Sequence, residues 1–148
     1  MANTGRDEFF RVEGLRELQR ELKTSPDRLD KDLRKGMRAI AKEIADTARQ
    51  RAGSRSYPRP GHAVVRSIQA SSTGVNSRVS IGGANVPWAL GHEFGSLVHR
   101  QFPAWRGNKS DAGYFLWPTI REAREETIPA MVTSLLNEIL AKAYPEPD

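Results

Sequence analysis

One apolar stripe, sustained for about five helical turns, constrains the fold of this chain more than any other feature. Its members recur every three or four residues within positions 27–52, and they are Leu29, Leu33, Met37, Ile40, Ile44 and Ala48. This spacing places them on one side of an α-helix, which must bury that face. A shorter stripe over 13–23 precedes it, so residues 13–52 are predicted to be a helical pair. Gly36 interrupts the longer helix, and close approach of another helix is the simplest reason for a glycine there.

The helical pair is followed by a stretch that cannot be regular structure. Residues 53–63 include the sequence GSRSYPRPG, whose prolines and glycines predict a stiff loop. The apolar residues that follow, Val64, Val65 and Ile68, fit one helical turn as well as the start of a strand.

A small antiparallel sheet is predicted over residues 64–95. Residues 68–72 and 78–82 flank turn residues and form the predicted hairpin. Residues 86–94 are expected to add a third strand, with Pro87 near its start, where a missing N–H matters least.

The last helix is predicted over residues 118–143. Pro118 lies in its first turn, which tolerates proline, whereas Pro129 must kink or break it. The order of elements predicts one α+β domain of 148 residues, with amphipathic helices packed on one face of a small antiparallel sheet.

An aromatic passage between the sheet and the last helix suggests binding to neighbouring proteins. Residues 86–118 hold all three tryptophans, and aromatic side chains supply a large contact area at low entropy cost. The loop 96–113 has 18 residues, and we expect this long aromatic loop to reach outward to a neighbouring subunit. The candidate interface residues are Trp88, Glu93, Phe94, Gly95, Phe102, Trp105 and Arg106.

Glu93 has two interpretations. Its carboxylate could pair with an arginine across a subunit boundary, or it could anchor a loop within its own chain, and we favour the local anchor. Phe94 is expected to face the core, with Gly95 supplying a positive φ at the turn that follows. Phe115 and Trp117, near the start of the last helix, are predicted to be core residues.

The positive charge of the chain is concentrated in a window without acidic residues. The net charge is +5, and no Asp or Glu occurs between Asp46 and Glu93. The arginines in this window are Arg49, Arg51, Arg55, Arg59, Arg66 and Arg78. Arginine favours interface ion pairs and phosphate contacts, so a basic patch that contacts an acidic neighbour or DNA is one interpretation. A solvated basic face is the other.

Several kinds of chemistry lack their usual residue patterns. Because the chain has no cysteine, it cannot form disulfides or cysteine-based zinc sites. His62, His92 and His99 lack the spacing of a metal site, and no nucleophile motif or phosphate-binding glycine loop is present. We therefore expect no catalytic residues, no metal and no cofactor. No apolar run predicts a membrane span, and the first residues do not resemble a signal peptide.

The order of short motifs resembles the minor tail component family of long-tailed bacteriophages, which includes tail-completion and head–tail joining proteins. After the helical pair and the loop comes Val65-Arg66-Ser67-Ile68, and after the hairpin come Trp88-Ala89 and Glu93-Phe94-Gly95. The entry to the last helix is Phe115-Leu116-Trp117-Pro118. The resemblance covers roughly residues 13–142.

This resemblance implies a structural virion protein without catalytic activity, assembled in the host bacterial cytoplasm. Its expected partners are copies of itself in a homo-oligomeric ring, expected to be a hexamer, other neck and tail proteins, and DNA that passes through the lumen. The ring would complete the tail or join it to the head, and a tail terminator ring is an alternative. The rival from another class is an arginine-rich nucleic-acid-binding module. Against that rival, the aromatic residues lie outside the basic window, so stacking and charge do not coincide.

Overall fold

The computed structural model describes residues 13–55, 62–107 and 111–147. The elements in chain order are α1 (Leu15–Lys23), α2 (Asp30–Gly53), α3 (Ala63–Arg66), β1 (Gln69–Thr73), β2 (Asn76–Ser80), α4 (Ala89–Phe94), α5 (Leu116–Glu122), a π-helical turn (Ala123–Thr127) and α6 (Ile128–Ala143). They confirm the predicted α+β class and the predicted helical pair. Most of the predicted loop 53–63 lies outside the described residues.

Helix α2 is the centre of the fold. Its apolar stripe is buried as the spacing predicted, and Leu33, Met37 and Ile40 are each at most 2% exposed. This helix contacts α1, both strands, α5 and α6. The helices therefore share one core with the sheet, and α2 connects the two ends of the domain.

The glycine in α2 is explained by a helix crossing. A methyl group at Gly36 would overlap the side chain of Leu135 on α6, whose Cγ would lie only 2.9 Å away. The prediction that another helix approaches Gly36 closely is confirmed.

The sheet is smaller than predicted. Strands β1 and β2 pair antiparallel, from Gln69 opposite Ser80 to Thr73 opposite Asn76, and they confirm the hairpin. The third strand predicted over 86–94 is wrong, because this segment contains helix α4. Ala89, His92 and Glu93 are its buried residues, and their spacing of three and four is helical. The segment just before the hairpin is also helical, since α3 contains Val64 and Val65.

The predicted C-terminal helix is divided into three parts. Pro118 lies in the first turn of α5, as predicted, and Pro129 lies in the first turn of α6. Proline has no N–H, and its ring clashes with the carbonyl four residues earlier, here that of Glu125. Glu125 belongs to the π-helical turn, which widens the helix there and relieves the clash. No helix in the described part of the chain is long and apolar enough to cross a membrane.

Candidate assembly interface

Glu93 connects α4 to the start of α5. Its carboxylate accepts hydrogen bonds from the backbone amides of Phe115 at 3.3 Å, Leu116 at 3.0 Å and Trp117 at 2.8 Å. The first amides of a helix have no partner within the helix, and Phe115 provides no side-chain cap. Glu93 on α4 therefore acts as a capping residue for a helix that begins 23 residues later in the chain.

Glu93 is buried and lies near a positively charged side chain. Only 1% of the residue is exposed. Burial raises the pKa of the Glu93 carboxyl, while the three amides and the nearby Arg55 guanidinium act in the opposite direction. Of the two interpretations, the structure shows the local anchor. A direct contact of Glu93 with a neighbouring subunit stays a prediction.

Residues 96–104, the first half of the predicted outward loop, turn back on the domain. Gly95 has φ 78° and ψ −170°, and a Cβ at this position would overlap the backbone carbonyl of Ala104. This close approach lets Ser96 pair with Ala104, and the Ser96 amide donates to the Pro103 carbonyl at 2.9 Å. The sequence correctly assigned Gly95 a positive φ, but it did not predict that residues 96–104 close into a compact loop.

Aromatic packing reinforces this closure. The Phe102 ring covers Gly91 on α4 and meets the His92 ring edge-to-face at 5.1 Å. Phe94 meets Trp117 edge-to-face at 5.8 Å. Phe102, Phe94 and Trp117 are all half-buried. They join the loop to the body of the domain, so a direct intersubunit contact by Phe102 remains a prediction.

Tyr114 links the loop to the end of α2. Its hydroxyl donates to the Ala104 carbonyl at 2.7 Å. The Arg55 guanidinium lies 4.2 Å from the centre of its ring, and that of Arg106 lies 5.3 Å away. Arg55 is the second residue after the end of α2, so the loop lies beside the C-terminal end of that helix.

The closed loop exposes two adjacent apolar side chains. Leu97 is 84% exposed and Val98 is 80% exposed. The Ser96 hydroxyl accepts from the Val98 and His99 amides at 3.1 and 3.0 Å, so the turn that carries both apolar side chains is ordered. These two residues were not among the candidate interface residues predicted from the sequence. Their only signal was a pair of adjacent apolar residues within a loop.

Both tryptophans among the candidate interface residues lie at the surface. Trp88 is 43% exposed and Trp105 is 42% exposed, with the ring of Trp105 lying over Gly107. Arg106 is also exposed. These three residues can contact a neighbour directly, unlike Glu93 and Gly95, which are buried and position the loop. Trp117 and Phe115 pack with the core, as predicted.

His62 and His92 lie next to one another beside the loop, and His92 is buried. The rings of His62 and His92 are 5.5 Å apart. Burial lowers the pKa of His92, and the positive charges of His62 and Arg55 add to this effect. No cluster of three or more metal-ligating side chains occurs among residues 13–55, 62–107 and 111–147.

Three arginines of the predicted basic patch bind groups within the subunit. Arg49 donates to the Ile68 carbonyl at 2.8 Å and pairs with Asp46. Arg51 pairs with Glu122 on α5 at 2.6 Å. Arg55 lies over Tyr114, and only Arg66 and Arg78 are classed as exposed among the described members of the window. The basic patch of six arginines stays a prediction, and Arg59 lies outside the described residues.

A different basic surface lies between α2 and β1. Lys35, Arg38, Lys42 and Arg49 line a groove of about 500 Å³. Their spacing of three, four and seven residues puts them on one face of α2. This groove was not predicted from the sequence, because three of its four cations precede the acid-free window.

Comparison with known proteins adds no identification. No family model, curated protein or solved structure matches this chain.

Proposed function

We propose that this protein is a structural component of a tailed bacteriophage, forming a homo-oligomeric ring in the neck or upper tail. The ring would complete the tail or join it to the head. The family resemblance of the motifs supplies the viral context. The observation that carries the assembly role is the ordered loop that presents Leu97 and Val98 to solvent.

Exposed apolar residues are common when scattered, but this loop concentrates them. Leu97 and Val98 adjoin one another, and Trp88 and Trp105 are exposed within the same 18-residue stretch, 88–105. Several exposed large apolar side chains in one short stretch are typical of surfaces that contact other proteins. The loop is already held by backbone hydrogen bonds, so binding would lose little conformational entropy.

Native mass spectrometry of the purified chain, together with electron microscopy, tests the ring. The expected result is one closed species of a fixed number of 16.5 kDa subunits, six by the family resemblance, with a visible central opening. Mass spectrometry of purified virions would then detect the chain among the structural proteins. A monodisperse monomer that is absent from virions contradicts the proposal.

The basic groove supports DNA binding as a second candidate function. When basic side chains neutralise DNA phosphates, the logarithm of the binding constant falls linearly with the logarithm of the salt concentration. The slope is about −0.9 for each phosphate contact. Replacing Lys35 and Arg38 by serine should reduce the magnitude of that slope by about 2. The matched control replaces Arg16 and Arg20 on α1, which removes equal charge elsewhere. Equal slopes for both variants contradict a specific role for the groove.

A further inference from the structure

Two apolar surfaces of this chain lie at opposite ends of its longest helix. The first is the tip formed by Leu97 and Val98, defined here as the apolar tip. It follows Ser96, which pairs with Ala104, and Ala104 accepts from Tyr114 beneath Arg55. This chain of contacts places the apolar tip beside the C-terminal end of α2.

The second surface is a groove at the N-terminal end of α2, defined here as the end groove. It has a volume of about 210 Å³, and its apolar walls are Leu18 and Leu22 of α1, Leu29, and Leu140 with Tyr144 at the end of α6. Leu140 is 44% exposed and Tyr144 is 76% exposed. An ion pair of 3.1 Å between Lys142 and Asp32 holds α6 against the start of α2.

The two surfaces cannot meet within one subunit. Helix α2 has 24 residues, which at about 1.5 Å per residue span roughly 36 Å. The apolar tip is tied to one end of this span and the end groove to the other. A contact between a projection and a recess on opposite ends of identical subunits is head-to-tail, and such contacts close into rings when the rotation permits.

Size and charge make the two surfaces complementary. A cavity of about 150 Å³ holds a molecule as large as benzene, so the end groove can take the Leu97 side chain. Glu21, Asp27 and Lys142 line the end groove and are exposed, and Lys142 is already paired with Asp32. Arg100, also exposed, follows the apolar tip by two residues. A carboxylate rim thus faces a cationic flank when the tip enters the groove.

We infer that the apolar tip of one subunit inserts into the end groove of the next copy, with Arg100 placed against the acidic rim. This inference rests on the proposed ring and names the two surfaces that build it. Burying an exposed leucine contributes enough that Leu97→Ser should weaken self-association by about tenfold or more.

Cysteine cross-linking tests the contact directly, because the chain has no cysteine of its own. Leu97→Cys and Leu140→Cys variants are mixed and oxidised with oxidised glutathione. The expected product is a disulfide-linked dimer that contains one of each variant. In the matched control, Thr133→Cys, at an exposed position of α6 outside the end groove, replaces Leu140→Cys and should yield little product.

Charge reversal provides an independent measurement. Arg100→Glu should weaken association, and adding Glu21→Arg should restore at least part of it. An oligomer that persists without the Leu97–Leu140 cross-link, and without this rescue, overturns the inference while leaving the proposed ring intact. A chain that stays monomeric at all concentrations overturns both.

Discussion

Replacing Glu93 by alanine tests whether one buried carboxylate holds the aromatic loop on the helical body. The change leaves the amides of Phe115, Leu116 and Trp117 without their acceptor. A buried donor left unpaired costs about 1–3 kcal/mol. Phe115 and Leu116 are at most 1% exposed, so water has poor access to their amides. The free energy of unfolding should therefore fall by about 3–5 kcal/mol.

The expected loss in the free energy of unfolding is smaller than the summed maximum cost of three unpaired amides, because Glu93→Ala also removes an unfavourable contribution. Burial raises the pKa of Glu93, which means that holding its charged form inside the protein is itself costly. Removing the carboxylate recovers part of that cost. For a domain of this size the midpoint temperature should fall by about 2–4 °C per kcal/mol, or roughly 6–20 °C.

Urea unfolding followed by tryptophan fluorescence measures the effect, and two variants serve as controls. Glu93→Gln keeps the shape and one acceptor oxygen but turns an NH2 group toward the amides, so it should cost about 1–2 kcal/mol. Glu122→Ala removes an exposed carboxylate of α5 that pairs with Arg51, and it should cost less than about 1 kcal/mol.

Hydrogen exchange separates a local effect from general destabilisation. In Glu93→Ala, the amides of residues 115–117 and of the loop 96–107 should exchange faster, relative to those of α2, than in the unchanged protein. A Glu93→Ala variant within about 1 kcal/mol of the parent, with unaltered exchange at these amides, would refute the capping role.

Three further changes test other parts of the fold. Gly36→Ala should destabilise by about 1 kcal/mol despite its better helix propensity, and it should become stabilising in a Leu135→Ala background; additive effects in urea would contradict the close crossing. Gly95→Ala should cost at least about 2 kcal/mol because its φ is positive and its Cβ would overlap Ala104, whereas an unchanged urea midpoint would exclude that overlap. Because the pKa of His92 is lowered in the folded state, the unfolded chain binds more protons below about pH 6.5, and stability should fall as the pH drops from 7.5 to 5.5. Urea midpoints at these two pH values should differ less in His92→Gln, and an equal difference would show that His92 is not responsible.

The aromatic region shows where prediction from the sequence stopped. Its importance was predicted from composition, and Gly95 was correctly given a positive φ. The segment over 86–94 was predicted as a strand because the six residues of α4 are too few to show a helical period clearly. The compact loop was missed since it depends on Ser96 meeting Ala104, a pairing that no local pattern contains.

The arginine window illustrates a second limit. Counting charges located the cations, but their availability depends on tertiary partners. Arg49 is drawn to the Ile68 carbonyl and Arg51 to Glu122, 71 residues away in the chain. The basic groove instead uses cations of α2 that only come together with β1 in three dimensions.

By itself, the sequence determined the long helix, its buried face, the hairpin and the glycine at the helix crossing. Each of these depends on periodicity or on the conformational preference of single residues, and both are local properties. Only the tertiary structure decided that Glu93 caps α5, that Leu97 and Val98 are held out to solvent, and that an apolar groove lies at the far end of α2. These features arise from contacts between residues distant in the chain, whose geometry is set by packing around the core rather than by their neighbours in sequence.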